Sequence, residues 1–395
     1  MKIGIVLIKT PSSSERFILL KIKNLQKEGH EVILFVNRRD EFKICEVVDM
    51  PKISKAFFLQ IFKMALTYLF ILIRSPKSVI IFLRLEKKDG VSFRSRWENL
   101  YLNSKILVQK LDWLHFSFAT TTFRKENVAK SINAKMGVSL RGYDIDIYPL
   151  KNQGCYSMMW KKVDKIHSIS FSILEKARNL GLDKSTNQEV IFPAVETKKF
   201  LNEDGIISIG QKQTIEILTV ARLHWIKGLE YTIEAMGKLD PINFRYTIVG
   251  IGNEYERLAL IINELDLNNK IRLVGYVTND ELIPFYKKAD LYVQYSIEEG
   301  FCNAVIEAQS MGVLTIVSDA PGLMENIIDG KTGWVVPKRK PNLLAKKIKQ
   351  ITSMKEEKLN FFRLNSIKRT KSKFDINIQA KHFNSFFNES PFRKK

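Results

Sequence analysis

The sequence has few of the residues that build disulfide, metal or dinucleotide sites. Its three cysteines, Cys45, Cys155 and Cys302, are an odd number, lie far apart and lack metal-ligand spacing. This excludes a disulfide framework and favours a reducing compartment. A Gly-x-Gly-x-x-Gly dinucleotide fingerprint is absent. Only a short apolar run separates Lys2 from Lys9, too short for the core of a signal peptide, so we expect a cytoplasmic protein.

Acidic residues are outnumbered and unevenly placed. The chain has 63 Lys and Arg residues against 42 Asp and Glu, a net charge of +21. Residues 1–205 carry 35 basic and 21 acidic side chains, residues 206–337 carry 11 and 17, and residues 338–395 carry 17 and 4. Unless the lysines form only solvated faces, the basic parts indicate an anionic partner, either nucleic acid, a phosphorylated ligand or an anionic membrane. Without an interleaved aromatic and basic motif, we expect no nucleic-acid partner.

A long uncharged apolar run is also missing, although residues 51–100 come close. Residues 56–73 are almost wholly apolar, but Lys63 interrupts them and the run is shorter than the ~20 residues that a spanning helix needs. Basic residues surround this run: Lys52, Lys55, Arg74, Lys77, Arg84, Lys87 and Lys88. An amphipathic segment lying on an anionic bilayer fits the pattern best, with a spanning helix and an ordinary core helix as alternatives.

Apolar strand-like runs alternate with helical segments in both halves of the chain. This predicts an α/β protein with two Rossmann-like, doubly wound domains facing a central cleft. The predicted domains are residues 1–205, with a membrane-facing segment over 51–100, and residues 206–370, followed by a helix and tail over 371–395. In the second domain we predict strands over residues 215–220, 245–249, 271–274, 291–295, 314–318 and 333–336. An aromatic helix is predicted over about 375–388, with Phe383, Phe386 and Phe387 on one stripe.

Charged residues collect at the carboxyl edge of the second predicted sheet. Arg222 and Lys227 follow its first strand and together suit a diphosphate. Glu299 lies in a turn and Glu307 in a helix that would begin near Asn303, whose N-terminus suits a phosphate. Each feature alone is common on solvated surfaces, but together they suit a phosphate-bearing sugar. Separately, a tight turn with Gly250 and Gly252 would let a ligand approach the backbone.

The first half offers weaker candidates. His115, in the strand-like run 112–116, is either a site residue or a packed core histidine. Asp144 and Asp146 form an Asp-x-Asp pattern, which holds a metal in some sugar transferases but also arises by chance in turns. We therefore predict no metal site.

These motifs resemble those of family-4 retaining glycosyltransferases of the GT-B type, and the resemblance covers nearly the whole chain. Residues 222–228 resemble the basic diphosphate motif, and residues 299–308 resemble the specific E-x7-E motif. Gly312 and residues 318–322 and 329–333 continue that pattern. In the first half, residues 11–18, 134–137 and 142–144 resemble members that build bacterial capsule, colanic-acid-like or O-antigen chains.

The resemblance implies transfer of a sugar from a nucleoside-diphosphate sugar to a lipid-linked glycan, without metal or other cofactor, at the inner face of the plasma membrane. It also implies that residues 1–205 bind the acceptor, that residues 206–370 bind the nucleotide sugar, and that the helix and tail over 371–395 pack back on the first domain. Glu299 would contact sugar hydroxyls, Glu307 the ribose, and Arg222 and Lys227 the diphosphate. The implied catalytic residues are Glu299, Arg222 and Lys227. The implied donor-binding residues are Arg222, Lys227, Gly250, Gly252, Tyr276, Val277, Glu299, Gly300, Phe301, Cys302, Asn303 and Glu307, with the backbone of 301–303 holding sugar and phosphate. The implied acceptor-binding residues are Ser14, Glu15, His115, Arg141, Gly142 and Tyr143.

One residue departs from the family pattern. Many members carry His before the Gly-Tyr-Asp turn, where this sequence has Arg141. Arg141 must act differently there, for instance by binding an acceptor phosphate. The alternatives to a transferase are a nucleotide-sugar 2-epimerase of the same fold and an inactive scaffold that binds sugar nucleotides.

Overall fold

The computed structural model describes residues 1–11, 15–202 and 212–388. The chain divides into two compact units. Unit 1 comprises Met1–Ile169, Ile173–Ile191 and the residues from Ala380 onward, and unit 2 comprises Ser170–Ser172 and Phe192–Gln379. The main change of unit, between 191 and 192, precedes the boundary predicted after residue 205.

Unit 1 is built on a parallel sheet of seven strands in the order β3-β2-β1-β4-β5-β6-β7. The strands are β1 (Lys2–Lys9), β2 (Glu31–Arg38), β3 (Glu46–Asp49), β4 (Trp113–Phe116), β5 (Lys135–Leu140), β6 (Lys165–Ser168) and β7 (Asn187–Val190). The central strands are nearly continuous apolar runs because both faces of a parallel sheet are covered. In β1, Ile3 and Ile5 are fully buried.

The helices of the first half fill the crossovers between these strands. They are α1 (Arg16–Lys27), α2 (Phe57–Arg74), α3 (Pro76–Lys88), α4 (Phe93–Leu107), α5 (Val128–Ser131), α6 (Tyr148–Lys151), α7 (Ser157–Lys162) and α8 (Phe171–Asn179). Residues 51–100, predicted as a membrane-facing segment, contain α2, α3 and the start of α4. Ser75 with Pro76 separates α2 from α3, because proline fits the first turn of a helix and not its interior.

Unit 2 contains a second parallel sheet, with six strands in the order β10-β9-β8-β11-β12-β13. The strands are β8 (Ile215–Val220), β9 (Phe244–Val249), β10 (Ile271–Gly275), β11 (Leu291–Gln294), β12 (Leu314–Ser318) and β13 (Trp334–Val336). The helices are α9 (Leu229–Met236), α10 (Tyr255–Glu264), α11 (Leu282–Lys288), α12 (Asn303–Ser310), α13 (Pro321–Asn326), α14 (Pro341–Thr352) and α15 (Glu356–Lys373). The strand order reverses between β8 and β11, the point where open α/β sheets bind ligands.

The last helix, α16 (Ile376–Asn388), lies close to the predicted bounds and supplies aromatic side chains to the core of unit 1. Phe383, Phe386 and Phe387 are buried there. The Trp113 indole N–H donates to the Phe387 carbonyl at 3.0 Å, and the ring centroids of Trp113 and Phe386 lie 5.8 Å apart. The core of unit 1 therefore combines the beginning of the chain with its last helix.

Candidate functional site

The switch point of the unit 2 sheet is the place between β8 and β11 where the strand order reverses. It brings together residues that are far apart in the sequence. The loop after β8 carries Arg222 and Lys227, and the loop after β11 carries Glu299. Lys227 Nζ lies 2.5 Å from Glu299 Oε2, and each side chain is only 13% exposed. These two predicted site residues therefore form a largely buried ion pair at the carboxyl edge of the sheet.

The charge on Lys227 is stabilised by this pairing. Burial is the largest effect and lowers the pKa of the Lys227 ammonium, but the charge and hydrogen bond of Glu299, together with nearby Cys302, raise the pKa above its usual 10.5. Arg222, close enough to oppose that rise, is exposed. Within the described part of the chain its guanidinium makes no hydrogen bond or ion pair, so its planar fork faces solvent at this edge.

Behind Glu299 runs a chain of buried hydrogen bonds that the sequence did not reveal. The Tyr292 hydroxyl donates to Gln294 Oε1 at 2.8 Å, and Gln294 Nε2 donates to Ser296 Oγ at 2.9 Å. Ser296 Oγ then donates to Glu299 Oε2 at 3.2 Å. The one available signal was Gln294, an amide in an otherwise apolar strand. The chain fixes the position of the Glu299 carboxylate.

The backbone of the Glu299 loop is held by α13. Gly322 N donates to the Glu299 carbonyl at 3.0 Å, and a Cβ on Gly322 would lie 2.3 Å from that oxygen, so no other residue fits there. Cys302 N donates to Asn326 Oδ1 at 3.0 Å, and Asn326 Nδ2 donates to the Cys302 carbonyl at 2.9 Å. The Cys302 amide, predicted to hold the donor, is therefore already bonded to Asn326.

Helix α12 begins at Asn303, with Cys302 rather than Asn303 as its N-cap. The Phe301 ring is buried against Phe192 and Phe374, with centroids 5.6 and 5.5 Å away, so its side chain belongs to the core. Burial, reinforced by the Glu299 charge, raises the pKa of the Cys302 thiol to about 12. The thiol is therefore neutral. Asn303, the first residue of the helix, is exposed at the site.

Glu307 lies one turn inside α12 and is held by a tyrosine. The Tyr286 hydroxyl, from α11, donates to Glu307 Oε2 at 2.8 Å. Burial and then the Glu307 charge raise the pKa of Tyr286 well above 10, so its hydroxyl stays protonated as the donor. Tyr286 was missed by sequence reasoning because nothing in α11 marks it as different from an ordinary core tyrosine.

The predicted glycine turn is required by the packing of two loops. Gly250 has φ +144°, and a Cβ there would lie 1.9 Å from the Ala221 carbonyl oxygen. A Cβ on Gly252 would lie 2.1 Å from the Leu223 carbonyl oxygen. Both glycines thus let the loop after β9 contact the loop that carries Arg222. Tyr276, exposed, and Val277, half-buried, follow β10 at the same edge.

The acceptor-binding candidates belong to unit 1. Ser14 lies outside the described residues, and half-buried Glu15 is the N-cap residue of α1. Arg141 directly follows β5, stacks on the Phe17 ring at 3.9 Å, and donates from Nε to the Ser117 carbonyl at 3.1 Å. Burial lowers its pKa to about 10, against the opposing charges of Asp144 and Glu15.

Gly142 and Tyr143 follow Arg141 at the carboxyl end of β5. They begin a π-helical turn that covers Tyr143–Ile147. Tyr143 is 65% exposed, so its ring is free to meet a ligand.

His115 is a core histidine, so its assignment to the acceptor site was wrong. Its side chain is fully buried on β4. Its Nε2 lies 2.8 Å from Lys21 Nζ and 2.9 Å from Ser139 Oγ, and that hydroxyl lies 2.8 Å from His167 Nδ1. The two imidazoles thus belong to a buried polar chain beneath α16.

The Asp-x-Asp pair has structural partners. Asp144 accepts from Thr120 Oγ1 at 2.9 Å and from the Ala119 amide at 3.2 Å, while Asp146 accepts from Lys176 at 2.6 Å. Over residues 1–11, 15–202 and 212–388, no group of three His, Cys, Asp or Glu side chains is arranged to hold a metal ion.

A cavity of about 400 Å³ opens at the opposite, amino edge of the unit 2 sheet. Its charged lining is largely paired, with Lys212 bonded to Asp290 and Lys288 to Glu216. Because the ion pair of Lys227 lies at the other edge, this cavity is separate from the candidate donor site.

Comparison with known families locates a domain in the second half of the chain. Residues 207–369 match the family described as glycosyl transferases group 1. The putative colanic acid biosynthesis glycosyltransferase WcaL of Salmonella typhimurium is 25% identical over 415 aligned residues, which cover 96% of this chain and 97% of WcaL.

Two further relatives align over parts of the chain. An uncharacterized glycosyltransferase of Methanocaldococcus jannaschii is 32% identical over 212 residues, 48% of this chain and about half (54%) of that protein. The N,N'-diacetylbacillosaminyl-diphospho-undecaprenol alpha-1,3-N-acetylgalactosaminyltransferase of Campylobacter jejuni is 24% identical over 254 residues, 62% of this chain and 65% of that protein.

Solved structures share the whole fold. A glycosyltransferase from Rickettsia africae has a TM-score of 0.71 and 20% identity, covering 100% of this chain and 99% of that one. Anabaena HepE in complex with UDP-glucose has a TM-score of 0.72 and 14% identity, covering 98% of each chain. We therefore identify the chain as a glycosyltransferase of the GT-B fold whose residues 207–369 form a group 1 glycosyl transferase domain.

Proposed function

We propose that the protein is a family-4 retaining glycosyltransferase that moves a sugar from a nucleoside-diphosphate sugar to a lipid-linked glycan in bacterial surface polysaccharide biosynthesis. The observation that carries the proposal is the buried ion pair of Lys227 and Glu299 at the switch point, beside Arg222 and the start of α12. The relatives' names support the process and the acceptor class, since one names colanic acid and one a diphospho-undecaprenol sugar.

In this proposal the donor diphosphate binds the cations after β8. Lys227 has three N–H donors, so it can bind a phosphate oxygen while keeping its bond to Glu299. The Arg222 fork suits a second phosphate contact. Glu299 and Glu307 accept from hydroxyls of the sugar and the ribose, each held in place by a neighbouring hydroxyl, from Ser296 and Tyr286.

The chemical step separates charge where these groups lie. The bond between the sugar C1 and the β-phosphate oxygen breaks, so negative charge grows on the phosphate and positive charge on the sugar ring. Lys227, Arg222 and the N-terminus of α12 stabilise the phosphate, and Glu299 faces the cationic ring, so no metal is required. The acceptor hydroxyl forms the new bond to C1 on the face the phosphate leaves, and passes its proton to that phosphate.

The acceptor would bind in unit 1. Arg141 offers a cation for an acceptor phosphate, and exposed Tyr143 offers a ring for a sugar. A lipid-linked acceptor implies work at the inner face of the plasma membrane, where anionic lipids attract the basic first half of the chain.

Replacement of one lysine tests the assignment. Lys227→Ala is expected to lower kcat by roughly 10²–10³, because one preorganised donor to the leaving phosphate is lost. The matched control is Lys288→Ala, which breaks an ion pair with Glu216 at the opposite edge of the sheet and should leave kcat unchanged. Turnover is measured as release of nucleoside diphosphate. Addition of EDTA should leave turnover unchanged. Normal turnover of Lys227→Ala, strict metal dependence, or conversion of the donor without acceptor would each contradict the proposal.

A further inference from the structure

Helix α2 exposes its apolar side, whereas a helix that packs on a protein core buries its apolar side. The side that packs on the rest of unit 1 carries two bonded polar residues beside the buried Ile71: Gln60 is buried and accepts from Ser54 N at 2.7 Å, and the Tyr68 hydroxyl donates to the Trp97 carbonyl at 2.8 Å. The outward stripe consists of large apolar residues, all exposed: Phe58, Phe62, Leu66, Leu69 and Ile73. Phe58 is 85% and Ile73 75% exposed.

Exposed apolar residues also occur on the helices next to α2. The helix packs mainly against α3 and α4, and only Gln60 and Ile71 of its 18 residues are buried. Ile80 and Ile81 on α3 and Phe93 at the start of α4 are also exposed. An exposed apolar stripe like that of α2 marks an interaction with a partner or a membrane.

The topology of unit 1 decides how a membrane can meet α2. By length and composition the helix could cross a bilayer. However, β1 precedes α2 and β4 follows it, and these strands are hydrogen-bonded neighbours, with Ile3 opposite Trp113. A single crossing would place β1 and β4 on opposite sides of the bilayer and break the sheet. A membrane-bound α2 must therefore lie along the surface.

The charges beside the stripe fit an anionic surface. At 100° per residue, Lys63, Phe70 and Arg74 lie along one edge of the outward stripe. Lys105 from α4 reaches the same edge, with Nζ 5.9 Å from the Phe70 ring centroid. Long basic side chains at the rim of an embedded helix reach the lipid phosphates while their stems stay in the apolar layer.

We propose that α2 inserts lengthwise into one leaflet of an anionic bilayer, with its stripe among the acyl chains and Lys63, Arg74 and Lys105 at the head groups. This deepens the proposed function, on which it rests for its purpose, by naming the element that holds the enzyme at the membrane of its acceptor. It also changes the expected binding from electrostatic attraction alone to hydrophobic insertion, which salt does not reverse.

Flotation of the full chain with vesicles of equal parts phosphatidylcholine and phosphatidylglycerol tests the insertion. The test variant combines Phe62→Ser and Leu69→Ser; the control combines Phe361→Ser and Leu364→Ser, exposed apolar residues on α15 in unit 2. We expect the test variant to lower the partition coefficient roughly 100-fold, since each buried side chain contributes about tenfold, and the control to match the natural protein. The natural protein should stay bound in high salt, and Lys63→Ala should weaken binding mainly to the anionic vesicles.

Three outcomes would overturn the insertion. These are equal flotation of the test variant and the natural protein, release of the natural protein by salt, and lipid-free self-association that the test variant abolishes, which would make a second copy the partner of α2. Turnover with a detergent-free soluble acceptor separates this proposal from the previous one. If the natural protein turns over the soluble acceptor but does not insert, only the membrane role of α2 is contradicted. If it floats with vesicles but shows no turnover, only the proposed function is contradicted.

Discussion

At the residue scale, the site depends on neighbours that hold the charged groups in place. Glu299 is fixed by Ser296 and Lys227, and Glu307 by Tyr286. A carboxylate held in this way loses little conformational entropy when it accepts a hydrogen bond from a ligand hydroxyl, because folding has already ordered the side chain. The Tyr286 hydroxyl is therefore a positioning group for Glu307.

Tyr286→Phe tests this positioning role. The variant keeps the buried ring and removes only the hydroxyl that donates to Glu307. Because one hydrogen bond contributes about 1 kcal/mol, we expect KM for the donor to rise about fivefold with kcat nearly unchanged. Tyr246→Phe, which removes a buried hydroxyl bonded to Thr219, is the control and should leave KM unchanged. A fall in kcat at constant KM would assign Tyr286 to the chemical step instead.

The loop after β11 shows what the sequence could and could not predict at this scale. The meeting of Lys227 and Glu299 was predicted because strand ends in a parallel sheet share one edge. The bond of Cys302 N to Asn326 was not, because the two residues lie 24 positions apart and meet only through the packing of α13 on the loop. The assignment of His115 failed for the same reason: its partners Lys21 and Ser139 lie on other elements.

At the scale of elements, α16 covers a buried pair of histidines. Phe383 lies 4.9 Å from the His167 ring, and Phe386 lies 5.8 Å from the His115 ring, between centroids. Burial lowers the pKa of both imidazoles well below 6.5, and the nearby Lys21 and Arg141 charges add repulsion. The folded protein thus keeps both rings neutral at a pH where the unfolded chain binds protons.

This arrangement predicts loss of stability in mild acid. As the pH falls below 6.5, the unfolded chain takes up a proton on each histidine that the folded chain does not, so the free energy of unfolding falls by about 1.4 kcal/mol per pH unit for each. His167→Gln should reduce the slope of stability against pH by that amount. His382→Gln, at an exposed histidine of α16, is the control and should leave the slope unchanged. Parallel slopes for His167→Gln and the natural protein would show that His167 titrates in the folded state.

Helices α16 and α2 show what the spacing of apolar residues can and cannot predict about a helix. The aromatic stripe of α16 was predicted from spacing, and its rings are buried. The apolar run of α2 was recognised, but its direction was not, since the sequence alone does not tell which side of a helix packs on α3 and α4. The break at Ser75 and Pro76 and the separate helix α3 also went unpredicted.

At the scale of the whole molecule, all the proposed donor contacts lie in unit 2. A nucleotide sugar should therefore stabilise unit 2 by mass action, by about 2.7 kcal/mol at a concentration 100 times its Kd. A thermal-shift panel of UDP and GDP sugars measures this and identifies the donor. Arg222→Ala should reduce the shift, while Arg245→Ala, which removes an exposed arginine paired with Glu216, should not. A panel without any shift, or one that Arg222→Ala leaves intact, would count against donor binding at this edge.

The division of the chain has a consequence for synthesis on the ribosome. Unit 1 begins at Met1, yet its core includes Phe383, Phe386 and Phe387, which are translated after all of unit 2. The early strands must wait, with an uncovered apolar surface, until the final helix emerges. All strands of the unit 2 sheet are synthesised before α16. The core of unit 1 is therefore completed only after the residues of unit 2 have been synthesised.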